Sequence, residues 1–140
     1  MKNFILEHWN SQAETHGVQH SASWGDIQAI NLEVETIGRF IKEGSDVLDA
    51  GCANGYSALR HLDKKPRSIT GIDFSPKMIE QAQQNKSQVE SDTEVSFQVG
   101  DIRNLPFPDG TFDVVYTTRT LINLPLWTEQ IQGIEECVRV

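Results

Sequence analysis

Cysteine is scarce in this chain: two residues in 140, Cys52 and Cys137, too far apart in sequence to form a metal-spaced pair. That excludes a zinc finger or a disulfide-stapled small scaffold, and no metal site is expected. Positive charge is also short, with 12 Lys and Arg against 20 Asp and Glu, a net charge of −8 and a pI near 4.9. Binding to a phosphate backbone draws most of its affinity from Lys and Arg, so nucleic acid is not the expected partner. Long apolar runs are missing too. The opening MKNFILEHWN holds only Phe4, Ile5 and Leu6 in succession, too few for a signal peptide's apolar region or a membrane span, so a cytoplasmic protein without membrane attachment is expected. No repeat or low-complexity stretch divides the chain, and 140 residues with 38% hydrophobic content support one domain with a modest core.

The most informative stretch is Val47 to Leu62, VLDAGCANGYSALRHL. An apolar strand delivers Asp49 into a glycine-bearing turn that opens directly into a helix, where main-chain amides face an approaching ligand. Gly51 and Gly55 permit backbone angles closed to other residues and leave the main chain open to close approach. The dinucleotide fingerprint G-x-G-x-x-G needs glycine where this chain has Ala53 and Tyr56, so the turn does not match an NAD site. An acidic residue two positions before the first glycine suits a ligand with a cationic end, such as the ammonium and sulfonium of S-adenosylmethionine. A purely structural strand-to-helix turn is the other reading open to these residues.

Two further strands end in the same manner. Ser68 to Asp73, SITGID, closes on a carboxylate placed to accept two ribose hydroxyls. Ser75 and Pro76 then fit the N-cap and first position of a helix, and Phe74 or Met78 offers a surface for a flat adenine, with core packing as the alternative for both. Glu94 to Val99 alternates Val95, Phe97 and Val99 with polar residues, as an edge strand does, and leads to Asp101 and Ile102. Asp101 is placed to accept from an adenine amino group beside the Ile102 ring contact, or to serve as a turn residue. Phe112 to Thr117 reads as a fourth, buried strand running into Thr118, Arg119 and Thr120.

With these motifs in this order, the chain resembles the class I S-adenosylmethionine-dependent methyltransferases over roughly Val47 to Val140. The resemblance implies a Rossmann-like, doubly wound parallel α/β sheet in the order 3-2-1-4, with helices on both faces and a helical extension over residues 1–45 ahead of an α/β core over 46–140. It implies S-adenosylmethionine as cofactor, with Asp49, Gly51, Cys52, Ala53 and Gly55 in the methionine-side loop. Asp73, Phe74 and Met78 then fall at the ribose and adenine, Asp101 and Ile102 at adenine, and Thr117 to Arg119 beside the transfer site. Ala53 stands where the family's commoner loop has another glycine. Family members usually continue into a fifth strand, a helix and a closing hairpin, so a truncated chain, a homodimer or a partner segment over the open edge of strand four is expected.

The resemblance also makes the N-terminal segment a lid over cofactor and acceptor. Ile27, Ile30, Val34, Ile37 and Ile41 fall at helical spacing over residues 26–43, with Asp26 as N-cap and one face toward the sheet. Trp9, His20 and Trp24 become candidate acceptor contacts, packing and solvation being the alternatives. Helices are further expected over 55–63, 75–88 and 125–138, the last turning Trp127, Ile131, Ile134 and Val138 inward and leaving Glu129, Glu135, Glu136 and Arg139 solvated.

Methyl transfer from a sulfonium to a small-molecule acceptor needs alignment more than a dedicated catalytic group. If a base is used, His20 or His16 is the candidate, and Arg119 is placed to orient an anionic acceptor or to sit in a surface ion pair. A non-catalytic cofactor-binding or interaction module is the alternative function.

Overall fold

The computed structural model describes residues 2–140, with side chains from Phe4 onward. Four parallel strands form one sheet in the order β3-β2-β1-β4: β1 is Asp46–Ala50, β2 Ser68–Asp73, β3 Glu94–Val99 and β4 Val114–Tyr116. Register brings the strand ends together, with Asp49 opposite Gly71 on β2 and Tyr116 on β4, and Asp73 opposite Val99 on β3. The expected fold class and strand order are therefore found. β4 is shorter than the expected strand and only half-buried, because it stands at the sheet's outer edge.

Alternation along β1 divides the core. Val47 enters a cluster with Ile69, Ile79, Val95 and Phe97, while Leu48 and Ala50 enter one with Ile72, Ile102, Leu105 and Val140 on the opposite face. β3 alternates as expected at Val95 and Phe97, but Val99 is exposed.

Helices α1 (Lys2–His16), α2 (Ile27–Gly38), α3 (Tyr56–Arg60), α4 (Pro76–Lys86) and α5 (Trp127–Arg139) surround the sheet. Two caps follow from sequence chemistry. Asp26 accepts from the amides of Gln28 and Ala29 at the start of α2, and Ser75 accepts from Met78 N at the start of α4, with Pro76 next to it. α2 stops five residues before Glu43 of the expected range, although Ile41 still reaches the core. α3 gives way to a 3-10 turn, His61–Lys64, because the chain reverses at Lys65, whose φ is +51°, just before Pro66.

α5 corrects one expectation. Its apolar stripe faces out: Trp127 is 69% and Val138 82% exposed, and Ile131 and Ile134 are exposed as well. The inward side is instead Gly133, where a Cβ would come within 3.0 Å of Leu121, together with Cys137. Three charged residues expected in solvent are engaged. Glu129 pairs with Arg103, Glu136 accepts from Leu105 N at 2.7 Å, and Arg139 donates to the carbonyls of Leu105 and Phe107. Polar ties to the loop before β4 therefore outweigh the burial of the stripe among the described residues.

Candidate active site at the carboxyl edge of the sheet

β1, β2 and the turn after β3 deliver three carboxyl groups, Asp49, Asp73 and Asp101, to one cavity of about 460 Å³. That volume suits a nucleoside-sized ligand, and the carboxyl edge of a parallel sheet is where open α/β folds bind ligands. The roof comes from the N-terminal segment through Ile5, Leu6, Trp9 and Trp24, and the far wall from Thr118 to Pro125.

The loop after β1 owes its shape to its small residues. Gly51 has φ +95°, and a Cβ there would fall 1.9 Å from Thr120 Oγ1, so no other residue fits. Its amide and that of Cys52 both donate to Ile72 O at 2.8 Å, which locks the turn to β2. Ala53 is also left-handed, at φ +47°, where an L-residue is strained and glycine is not. The strain is held by a hydrogen bond from Ala53 N to Asp73 Oδ2 (3.0 Å), while Ser75 N donates to Asp73 Oδ1 (2.9 Å).

Asp49 is the most unusual group. It is only 2% exposed, and its Oδ1 has no hydrogen-bond partner among the described residues. Burial pushes its carboxyl up to about 7, the neighbouring Tyr116 hydroxyl drawing it partly back and the charge of Asp73 adding to the rise. The Tyr116 hydroxyl is near enough to act electrostatically but, among the described residues, has no partner in hydrogen-bond geometry. Burial likewise raises Asp73 to about 6, against the two amides that lower it. Asp101 accepts from Arg103 N and Nε, and Arg103 also reaches Glu129.

Several expected site residues line the cavity: Asp49, Gly51, Cys52, Ala53, Asp73, Phe74, Asp101, Ile102 and Arg119, with Trp9 and Trp24 in the roof. Others lie elsewhere. Met78 is fully buried with Ala13 and Ala22 between α1 and α4, and Gly55 turns its Cα against the Phe97 ring. Thr117 is not among the lining residues, and its buried Oγ1 has no hydrogen-bond partner among the described residues. His16 bonds with Ser21 Oγ (2.9 Å), and His20 bonds through Nδ1 with Trp24 O (3.2 Å); neither faces the cavity.

A model of the methyltransferase domain matches residues 47–140. The chain belongs to the methyltransferase-domain family. Similar proteins include 27-O-demethylrifamycin SV methyltransferase of Amycolatopsis mediterranei, 35% identical over 85 residues that cover 61% of this chain and 31% of the relative. Among solved structures, a SAM-dependent methyltransferase of Methanosarcina mazei is 27% identical with a TM-score of 0.68, over 75% of this chain and 51% of that one. The [4+2]-cyclase SpnF is 27% identical with a TM-score of 0.74, over 99% of this chain and 54% of that one. The chain thus spans about a third of the curated relative and about half of each of the two structures.

The residues present fit the family's cofactor. A buried carboxylate with an unpartnered oxygen suits an ammonium group, and each oxygen of Asp73 keeps a second lone pair for a ribose hydroxyl. Sequence reasoning missed the residues that tie the lid to this loop. Asn54, 1% exposed, donates through Nδ2 to Gly17 O (2.9 Å) and Gln19 O (2.7 Å). Asn85 donates to Val18 O and Asn54 O, and Ser75 Oγ donates to Asn10 Oδ1 at 2.7 Å. An asparagine beside left-handed loop positions is a weak signal for such a role. Thr120, which seals Gly51, carries none.

Proposed function

We propose that this chain binds S-adenosylmethionine and that its protein transfers the methyl group to a small-molecule acceptor by in-line displacement. The observation that carries the reading is the buried Asp49 carboxyl, whose Oδ1 has no hydrogen-bond partner among the described residues, at the floor of a cavity ringed by Asp73 and Asp101. Asp49 pairs with the ligand's ammonium, Asp73 accepts from the ribose hydroxyls, and Phe74 and Ile102 contact adenine beside Asp101. When bound, the cofactor supplies an electrophilic methyl carbon. The chain's own work is to hold the ligand's polar ends, align the acceptor and exclude water beneath Trp9 and Trp24. A small acceptor is favoured over nucleic acid by the net charge of −8. A cytoplasmic location belongs to this reading and rests on the two free cysteines. Among the described residues, no helix is long and apolar enough to cross a membrane.

A binding module without turnover is the second reading, and it is consistent with a described lining that holds no histidine, lysine or tyrosine. Incubation with S-adenosylmethionine and a panel of small acceptors, with S-adenosylhomocysteine quantified by mass spectrometry, separates the two. Acceptor-dependent product supports transfer, and binding without product supports the module. Asp73→Ala is expected to weaken S-adenosylhomocysteine binding by about 1 to 3 kcal/mol. Unchanged affinity would remove Asp73 from the ribose.

A further inference from the structure

The acceptor end of the cavity has an uneven chemistry. Its roof is apolar, through Leu6, Trp9 and Trp24, and its far wall sets Ile122 and Leu124 among polar residues. Among the described residues, two cations line the cavity, Arg103 and Arg119. Arg103 is saturated by Asp101 and Glu129. Among the described residues, the Arg119 guanidinium makes one hydrogen bond, from Nη1 to Glu33 of α2, and lies 4.4 Å from the Trp24 ring centre. Its remaining N–H groups are unspent. No histidine, lysine or tyrosine is among the described lining residues, so the proton acceptors of the lining are the carboxylates Asp49, Asp73 and Asp101 that the cofactor reading already assigns to ligand binding.

The backbone supports a dedicated role. Arg119 is one of three described non-glycine residues with positive φ, at +58°, and Asn123 donates from Nδ2 to its carbonyl at 2.9 Å. Strain of this kind, over-determined by neighbours, concentrates at ligand sites. From this backbone the side chain reaches Glu33 of α2 and the Trp24 ring.

Building on the methyltransferase reading above, we infer that the acceptor is a carboxylate on an apolar or aromatic body, held by Arg119 against Trp24. A carboxylate reaches the site already deprotonated, so it needs no base of its own. One of its oxygens attacks the sulfonium methyl carbon. The new O–C bond forms as the S–C bond breaks, the bonding pair goes to sulfur, and the products are a neutral methyl ester and S-adenosylhomocysteine. No proton moves. The acidic groups of the cavity lie toward the cofactor, whose own positive charges offset them.

The test is isothermal titration of the 140-residue chain, first with S-adenosylhomocysteine, then of that complex with 3-phenylpropionate, its amide and 3-phenylpropylamine. The carboxylate is expected to bind at least tenfold more tightly than the amide or the amine. Arg119→Gln should abolish that preference without changing S-adenosylhomocysteine affinity. Glu33→Gln, which frees Arg119 from its carboxylate partner, should tighten the carboxylate several-fold and guards against a misfolded Arg119 variant. If S-adenosylhomocysteine binds but the amide or amine matches the carboxylate, the acceptor assignment is overturned and the cofactor site stands. If S-adenosylhomocysteine does not bind, both fall.

Discussion

Replacing Asp49 with Asn should make the ligand-free protein more stable and a poorer binder at once. Asp49 is carried into the sheet's interior by β1, and burial raises its carboxyl from 3.8 to about 7. At 1.36 kcal/mol per pH unit, that rise corresponds to roughly 4 kcal/mol favouring the protonated form in the fold. The folded state holds this proton to higher pH than the unfolded chain does. The group therefore erodes stability progressively as pH rises from about 4 to about 7, and the loss is complete above that. Asp49→Asn removes this slope but leaves a buried amide without ideal partners, so a net gain on the order of 1–3 kcal/mol at pH 8 is expected. For a domain of this size the melting temperature should rise by about 3–6 °C per kcal/mol. The same variant loses the counter-charge for an ammonium, a deficit of about 1.5–3 kcal/mol, or at least tenfold in affinity. Thermal melts of both proteins from pH 5 to 9, with and without S-adenosylhomocysteine, read both effects. Because Asp73 contributes its own pH slope, the difference between the two proteins is the informative quantity. A variant that melts lower than the parent at pH 8, or that keeps full ligand affinity, would refute the reasoning.

Three further outcomes are expected. Ala53→Gly should relieve the left-handed strain at φ +47° and raise stability by about 0.5–1 kcal/mol in urea titration, net of glycine's extra chain entropy; a loss would mean that the alanine methyl is needed for packing. His61 is fully buried with both ring nitrogens unpartnered among the described residues, and burial lowers it from 6.5 to about 4. The unfolded chain takes up that proton first, so stability falls as pH drops from about 6.5 to 4, by up to about 3 kcal/mol. His61→Leu should remove most of that acid loss, and an unchanged urea midpoint difference between pH 5 and pH 8 would show that His61 is not its source. Val138→Lys, on the outward face of α5, should alter stability by no more than about 0.5 kcal/mol; a loss of 2 kcal/mol or more in the same assay would place the residue in a packed interior.

What the sequence made legible was local and short-range. The strand ends at Asp49 and Asp73 follow from apolar runs closing on carboxylates, and the caps at Asp26 and Ser75 follow from side-chain chemistry within three residues. Strand order came from the family resemblance rather than from periodicity, which cannot rank neighbouring parallel strands. The failure at α5 has a tertiary cause. Its apolar residues have the right helical spacing, but Gly133 allows close packing on the opposite side, and Glu136 and Arg139 bind the loop before β4. Met78 offers in sequence a surface for a flat adenine, yet α1 covers that face and takes it into the core. Asn54 and Asn85 escaped notice because their partners, the carbonyls of Gly17 to Gln19, lie more than thirty residues away in sequence. A pairing over that distance leaves no periodic trace.

Isothermal titration of the purified chain with S-adenosylmethionine and S-adenosylhomocysteine, with NAD as control, tests the cofactor site most directly. Micromolar binding of both adenosyl ligands and none of NAD is the result expected. A folded protein that binds neither adenosyl ligand, or that binds NAD as tightly, would contradict it.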